Sequence, residues 1–230
     1  MSLPAPLVES HNGFNVVRDD LLPGGTKMRF ILPMMEARPE REFVYASPAF
    51  GYAQVALAHC AALAGRRATV FTAKRKVAHP LTVMASRAGA RVVMVPHGYL
   101  SNVQAKARMY AERAGAYLVP FGVEIPEAMT ALVAVARAMP TPCEVWSVAG
   151  SGVLTRSLQA AWPSASFHAV MIGKADSDIG RARRYVSPLK FEQETRASVP
   201  FPSSRWYDAK AWEFVRQHAS PGALFWNVGG

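Results

Sequence analysis

The chain has 230 residues, half of them apolar and only 18% charged, which excludes an intrinsically disordered protein and allows one large or two small domains with a real core. No apolar run reaches transmembrane length, and two cysteines, Cys60 and Cys143, exclude a disulfide framework. The balance of 26 basic to 16 acidic residues leaves a net charge of +10.

The opening MSLPAPLVES has no basic segment followed by an apolar stretch, so no signal peptide is expected and a reducing cytoplasm is the simplest setting. No regular element is assigned before the turn Gly24-Gly25-Thr26-Lys27, which precedes a helical run starting Met28, Arg29, Phe30, Ile31. A strand is predicted over 42–46, then a helix over 52–64 closed by Gly65. Next come a strand over 68–72, a helix over 80–88 closed by Gly89, a strand over 91–95, a helix over 101–114 and a strand over 116–120. Pro126 opens a helix running to Met139. A strand over 144–148 leads through Gly150-Ser151-Gly152 into a helix over 153–162 and a strand over 167–172. Residues 174–204 lack any period and are rich in Pro, Ser and Arg, which fits either a mobile active-site cover or a binding loop. A helix over 206–218 and a short strand over 224–226 complete the pattern.

Apolar strands separated by helices predict an α/β, doubly wound architecture of mostly parallel sheet, with ligands at the carboxyl ends of the strands. Two glycine loops then carry the chemistry. Lys27 offers an amine on a glycine turn at a helix start, where backbone can approach a ligand. The 150–152 loop opens a helix after an apolar strand, which suits a phosphate; an ordinary tight turn is its bland alternative. An amine plus a phosphate cradle points to pyridoxal phosphate (PLP). The six histidines have no paired metal spacing, and neither a nucleophile elbow nor a Walker loop is present, so no metal ligand is assigned.

Basic clusters at Arg66-Arg67, Lys74-Arg75-Lys76 and Arg181 with Arg183 and Arg184 admit two readings of equal weight. One is a solvated basic surface. The other is attraction to a polyanion, with Lys74, Arg75, Lys76, Arg181, Arg183 and Arg184 contacting nucleic-acid phosphates.

The run Arg18-Asp19-Asp20-Leu21-Leu22-Pro23-Gly24-Gly25-Thr26-Lys27 resembles the lysine segment of the tryptophan-synthase-β-like PLP enzymes of fold type II, nearest to the aminocyclopropane-carboxylate deaminase and D-cysteine desulfhydrase branch. Residues 47–58 (SPAFGYAQVALA) resemble the loop and helix beneath the cofactor ring, and 148–158 (VAGSGVLTRSL) the loop that cups the phosphate. Residues 223–230 (ALFWNVGG) are similar to the branch's late strand ending in His-Thr-Gly-Gly. The ordered set spans nearly the whole chain.

The resemblance implies that Lys27 carries PLP as a Schiff base and moves a proton at the substrate Cα. It implies cofactor contacts from Ser47, Gly51, Tyr52, Gly150, Ser151, Gly152 and Asn227, with Tyr52 a second catalytic candidate that is equally a core-packing tyrosine. Asp19 and Asp20 read as turn and capping residues. The smaller domain would span 41–124, the larger 1–40 with 125–230, and a homodimer is expected. Two departures stand out. Gly51 or Tyr52 stands where many members carry an asparagine, and Val228 stands where they place Ser or Thr at the pyridine nitrogen, with Asn227 its substitute. The chain is also short for the family, which leaves closure of the site to a dimer partner or to residues 174–204. The implied activity is a PLP-dependent lyase acting on a small amino acid by deamination, elimination or decarboxylation. A first alternative is a PLP decarboxylase acting on an amino acid attached to thymine in bacteriophage DNA, a DNA-modification role in the host cytoplasm that would explain the basic clusters. A second is a nucleic-acid-binding scaffold with a dead site.

Overall fold

Asn12 and Gly13 both adopt positive φ, 53° and 82°, and fold the chain back between β1 (Val8–His11) and β2 (Phe14–Arg18). This Asn-Gly hairpin is an element that the sequence reading leaves unassigned, although the dipeptide suits such turns because both central residues need left-handed backbone. The computed structural model describes residues 3–96, 99–173 and 176–230; His97 and Lys174, the first residue of the 174–204 stretch, lie outside these.

Two compact units follow from the chain's contacts, residues 23–128 and residues 3–22 with 129–230. The first therefore takes in α1 (Lys27–Glu36), where the sequence reading starts its inserted domain at residue 41.

The first unit holds a wholly parallel sheet of β3 (Glu42–Ala46), β4 (Arg67–Ala73), β5 (Arg91–Val95) and the short β6 (Tyr117–Leu118), in the order β5-β4-β3-β6. Every residue of β3 is buried, as a parallel strand covered on both faces requires. Burying Phe43 and Val44 contributes about 1.5–3 kcal/mol each. On one face α4 (Leu100–Ala114) packs Val103, Ala107 and Ala111, spaced four apart, against Val44, Ala46, Phe71 and Val95. Helix α2 (Ala53–Leu63) contacts α1, β3, β4 and α3 (Pro80–Arg87). A Cβ on Gly24 would lie 2.5 Å from Ala56 Cα. Contact between the lead-in to α1 and the α2 backbone therefore demands that glycine, where the sequence reading invoked close approach to a ligand.

Helix α5 (Pro126–Arg137) carries the chain into the second unit. There a six-stranded sheet runs β1-β2-β10-β7-β8-β9, formed with β7 (Glu144–Ala149), β8 (Ser166–Met171), β9 (Arg183–Val186) and β10 (Leu224–Asn227). All pairings except β1 with β2 are parallel. Helix α7 (Ala209–His218) buries Ala211, Trp212 and Val215 against Trp146, Val148, Val170 and Phe225. Helix α6 (Val153–Ala161) contacts β7 and β8. Strand β9 falls inside the stretch that the sequence reading treats as aperiodic, and its weak burial explains why no apolar signal marks it.

Each sheet has one point at which strand order reverses. In the first unit β4 and β5 build outward on one side of β3, while β6 adds on the other. In the second, β8 and β9 build outward from β7, while β10 lies on its opposite side. Such points open a crevice at the carboxyl ends of the strands, where ligands of open α/β sheets bind.

Candidate active site

The candidate cofactor residues singled out from sequence lie on or beside the elements at these two reversal points. In the first unit, 47–52 follows β3, and the turn after β6 contains Gly122. Lys27, the first residue of α1, donates from Nζ to the Gly122 carbonyl oxygen at 2.6 Å. As a residue it is half-buried, but its amine is enclosed: desolvation pulls the pKa down to about 8, against the opposing charge of Glu124. The ring of Phe30, one turn along the helix, lies 5.1 Å from Nζ. Tyr45, pushed up to about 12 by burial, hydrogen-bonds the backbone of the same Gly122.

The 47–52 loop is held by its own polar groups. Ser47 is buried, with Oγ donating to the Pro48 carbonyl, and the Gly51 N–H returns to that same oxygen at 2.9 Å. Gln54 Nε2 donates to the carbonyls of Ala49 and Gly51, both at 3.0 Å, and draws the loop over the start of α2. Tyr52 occupies the N-cap position of that helix without a side-chain capping bond. Lys74, Arg75 and Lys76 follow β4 at the same carboxyl end and are exposed, with the Arg75 guanidinium 5.0 Å from the Phe50 ring centre. The basic triplet and the 47–52 loop are thus neighbours.

In the second unit Gly150, Ser151 and Gly152 join β7 to α6, with Gly152 as N-cap at φ 77°. The first N–H groups of such a helix have no intrahelical partner and favour an anion. Added as a Cβ, a methyl on Gly152 would meet the Asp178 carbonyl at 1.8 Å, and Ser177 Oγ donates to the Gly150 carbonyl at 2.6 Å. Residues 177 and 178 therefore lie directly on this loop. Arg156 braces it from α6, donating to the carbonyls of Ser151 and Asp178.

Asn227 ends β10 fully buried. Its Nδ2 donates to Asp20 Oδ1 at 2.7 Å and to the Pro202 carbonyl at 2.8 Å, while its Oδ1 accepts from Ser203. Both amide hydrogens are committed to the protein. Asp20 is held by the Arg18 guanidinium through two bonds, at 2.9 and 2.8 Å, and Asp19 accepts the Trp226 indole N–H. The two aspartates thus tie the β2 exit to β10, a structural role consistent with turn residues.

Sequence reasoning missed Tyr207 and Asp208, which lie just ahead of α7. A Cβ on Gly150 would sit 3.1 Å from the Tyr207 hydroxyl, whose pKa burial raises. Asp208 is 1% exposed, and neither carboxyl oxygen makes a well-formed hydrogen bond. Burial pushes its pKa up to about 8, although the nearby backbone N–H groups of Val228 and Gly229 pull the other way. This buried carboxyl lies against the backbone of Val228 and Gly229, next to the Val228 and Asn227 positions that the sequence reading weighed. No periodic pattern marks it, because residue 208 precedes its helix without capping it through its side chain.

The basic cluster at 181–184 is engaged internally. Arg181 donates to the carbonyls of Trp162, Pro163 and Ala165 at the end of α6, and Arg184 to that of Ser177. Arg183 lies over the Tyr185 ring at 5.4 Å.

No family model matches the chain, and no curated protein matches it in sequence. Solved structures do match its fold. An aminocyclopropane-carboxylate (ACC) deaminase homologue superposes with a TM-score of 0.80 at 15% identity, covering 94% of this chain and 84% of its own. Serine racemase from maize gives 0.73 at 12% identity, covering 98% and 86%. A threonine deaminase from T.th. gives 0.68 at 17% identity, covering 95% and 88%. The chain therefore has the fold of the fold type II PLP enzymes. No helix among the described residues is long and apolar enough to cross a membrane.

Proposed function

We propose that the chain is a PLP-dependent lyase acting at the Cα of an amino acid. The observation that carries this reading is the enclosed Lys27 amine. Its pKa near 8 leaves about a tenth of it unprotonated at pH 7, far more than an ordinary lysine, and its hydrogen bond goes to a neutral carbonyl that fixes its direction. The residues fit the cofactor on further grounds: a glycine loop at a helix start, and an orphaned buried carboxyl. When bound, PLP supplies an aldehyde that condenses with amines and a ring that draws electrons from the substrate Cα.

The chain's own residues divide the remaining work. Lys27 holds and moves the proton at Cα, with Gly122 orienting Nζ. The N–H groups of 150–152 and the start of α6, together with the Ser151 hydroxyl, would hold the cofactor phosphate. Ser47, Gly51 and Tyr52 would contribute to holding the cofactor ring. Asp208, protonated near neutral pH, would be the polar partner for the cofactor ring that neither Val228 nor the fully committed Asn227 amide can provide. Borohydride reduction of the PLP-treated chain followed by peptide mapping tests this reading. It requires a phosphopyridoxyl mass on Lys27, and an unmodified Lys27 would refute it.

The exposed triplet at 74–76 supports a second reading on substrate, an amino acid carried on DNA and decarboxylated there. Duplex DNA should then bind with an affinity that falls steeply with salt, and Lys74→Glu with Arg75→Glu should abolish it. Turnover of any free amino acid without DNA would favour the first reading, and either turnover would exclude a dead scaffold.

A further inference from the structure

Three neighbouring strands of the first unit, β3, β4 and β5, have charged residues at their amino ends: Glu42, Arg67 and Arg91 each open their strand. Register places Glu42 beside Arg67 and Arg91 beside Thr69. These residues, with Arg66 and Tyr110, line an open cavity of about 400 Å³, within the size of small-molecule sites. The cavity lies at the opposite end of the strands from the 47–52 loop. Five residues of β3 separate the two, roughly 15 Å of strand.

The floor is a carboxylate held in place. Glu42 Oε1 accepts from the Thr69 hydroxyl at 2.7 Å and the Tyr110 hydroxyl at 2.8 Å, and Oε2 faces Arg67 Nη2 at 3.3 Å. Burial raises its pKa, but these three donors outweigh burial and lower it, so the group stays ionised. Oε2 retains capacity for one more donor. The rim is cationic. Arg67 and Arg91 are exposed, and Arg66 is fixed by weak bonds to the carbonyls of Arg38 and Pro39. Arg91 donates to the Tyr110 hydroxyl and stands 5.5 Å over its ring, presenting a flat guanidinium face. Most donors of these guanidinium groups remain unspent, and a planar fork of donors suits phosphate.

A ligand must therefore bring an anionic end to the rim, a flat body to Arg91 and an N–H donor to the floor. We propose that this cavity binds a free nucleotide, with its phosphate on Arg66 and Arg67, its base against the Arg91 guanidinium face and the exocyclic amine of that base on Glu42. A carboxylate accepts from such an amine as it does from cytosine N4. The site is independent of the PLP reading and is probed with PLP at saturation, so that residues 150–152 do not compete for the phosphate.

Calorimetric titration of the full chain compares cytidine monophosphate, uridine monophosphate and inorganic phosphate. Cytidine monophosphate should bind ~10-fold tighter than either of the others. The double variant Arg67→Ala, Arg91→Ala should weaken it by ~10-fold or more while keeping the wild-type circular dichroism spectrum. Glu42→Gln should erase the preference for cytosine over uracil, because the amide keeps its oxygen for Thr69 and Tyr110 and turns its own N–H donors to the base. Equal affinity for the two nucleotides, or undiminished binding by the arginine variant, would overturn the proposal. So would displacement of the nucleotide by single-stranded oligodeoxycytidine with a steep salt dependence, which would assign the surface to nucleic acid.

Discussion

Lys27 and Gly122, 95 residues apart, meet through one hydrogen bond from Nζ to a carbonyl oxygen at 2.6 Å. The hydrogen-bond partner of this buried amine is neutral, and desolvation outweighs the pull of the Glu124 charge, so desolvation dominates its titration.

The enclosed amine sets a stability test. Its pKa falls from 10.5 in the unfolded chain to about 8 in the folded one, so between those values the unfolded state binds more protons and stability rises with pH. Below both values the folded state carries a charge it disfavours. Lys27→Met should therefore stabilise the chain at pH 7 by roughly 1–3 kcal/mol. Urea unfolding should show the gap narrowing as pH rises from 8 towards 10.5; a gap that widens would contradict the burial.

Asp208 runs the other way. Its pKa rises from 3.8 to about 8 on folding, so the folded state holds the extra proton across that window and stability falls as pH rises through it. Asp208→Asn, which cannot ionise, should flatten the pH dependence of the thermal midpoint between pH 3.8 and 8. A variant with an unchanged slope would show that the carboxyl is ionised in the fold.

Substitution in the glycine loop separates two positions. Gly152→Ala adds a methyl against the Asp178 carbonyl and forces an alanine to φ 77°, a cost of at least ~2 kcal/mol. Gly150→Ala meets only the Tyr207 side chain, with the hydroxyl nearest at 3.1 Å, and should cost less. Chemical denaturation midpoints rank the two, and the reverse order would sink this account of the loop.

Trp226 donates its indole N–H to Asp19 Oδ2 at 3.0 Å in a fully buried setting. Asp19→Ala leaves that donor unsatisfied and should destabilise the chain by about 1–3 kcal/mol. A double variant with Trp226→Phe should recover part of the loss, because the orphaned donor is gone.

Some of the architecture was legible because its causes are local. Strand β3 is buried at all five positions, so its apolar run was unambiguous, and Gly65 after α2 and Gly89 after α3 marked helix ends. The β1–β2 hairpin was also readable from Asn12-Gly13, yet its strands alternate with polar residues and carried little apolar signal. Strand β9 gave less still, being mostly exposed at the sheet edge.

From the sequence alone came the parallel α/β order, the lysine on its glycine turn and the glycine loop opening α6, since periodicity and turn chemistry act over a few neighbouring residues. Only the tertiary structure could pair Lys27 with Gly122, set Asp208 against the amides after β10, or gather Glu42 and three arginines at the amino ends of β3, β4 and β5. Those relationships depend on strand order and on burial. Both are settled when distant segments assemble into a sheet, and it is that assembly which removes water from a charge and shifts its proton affinity.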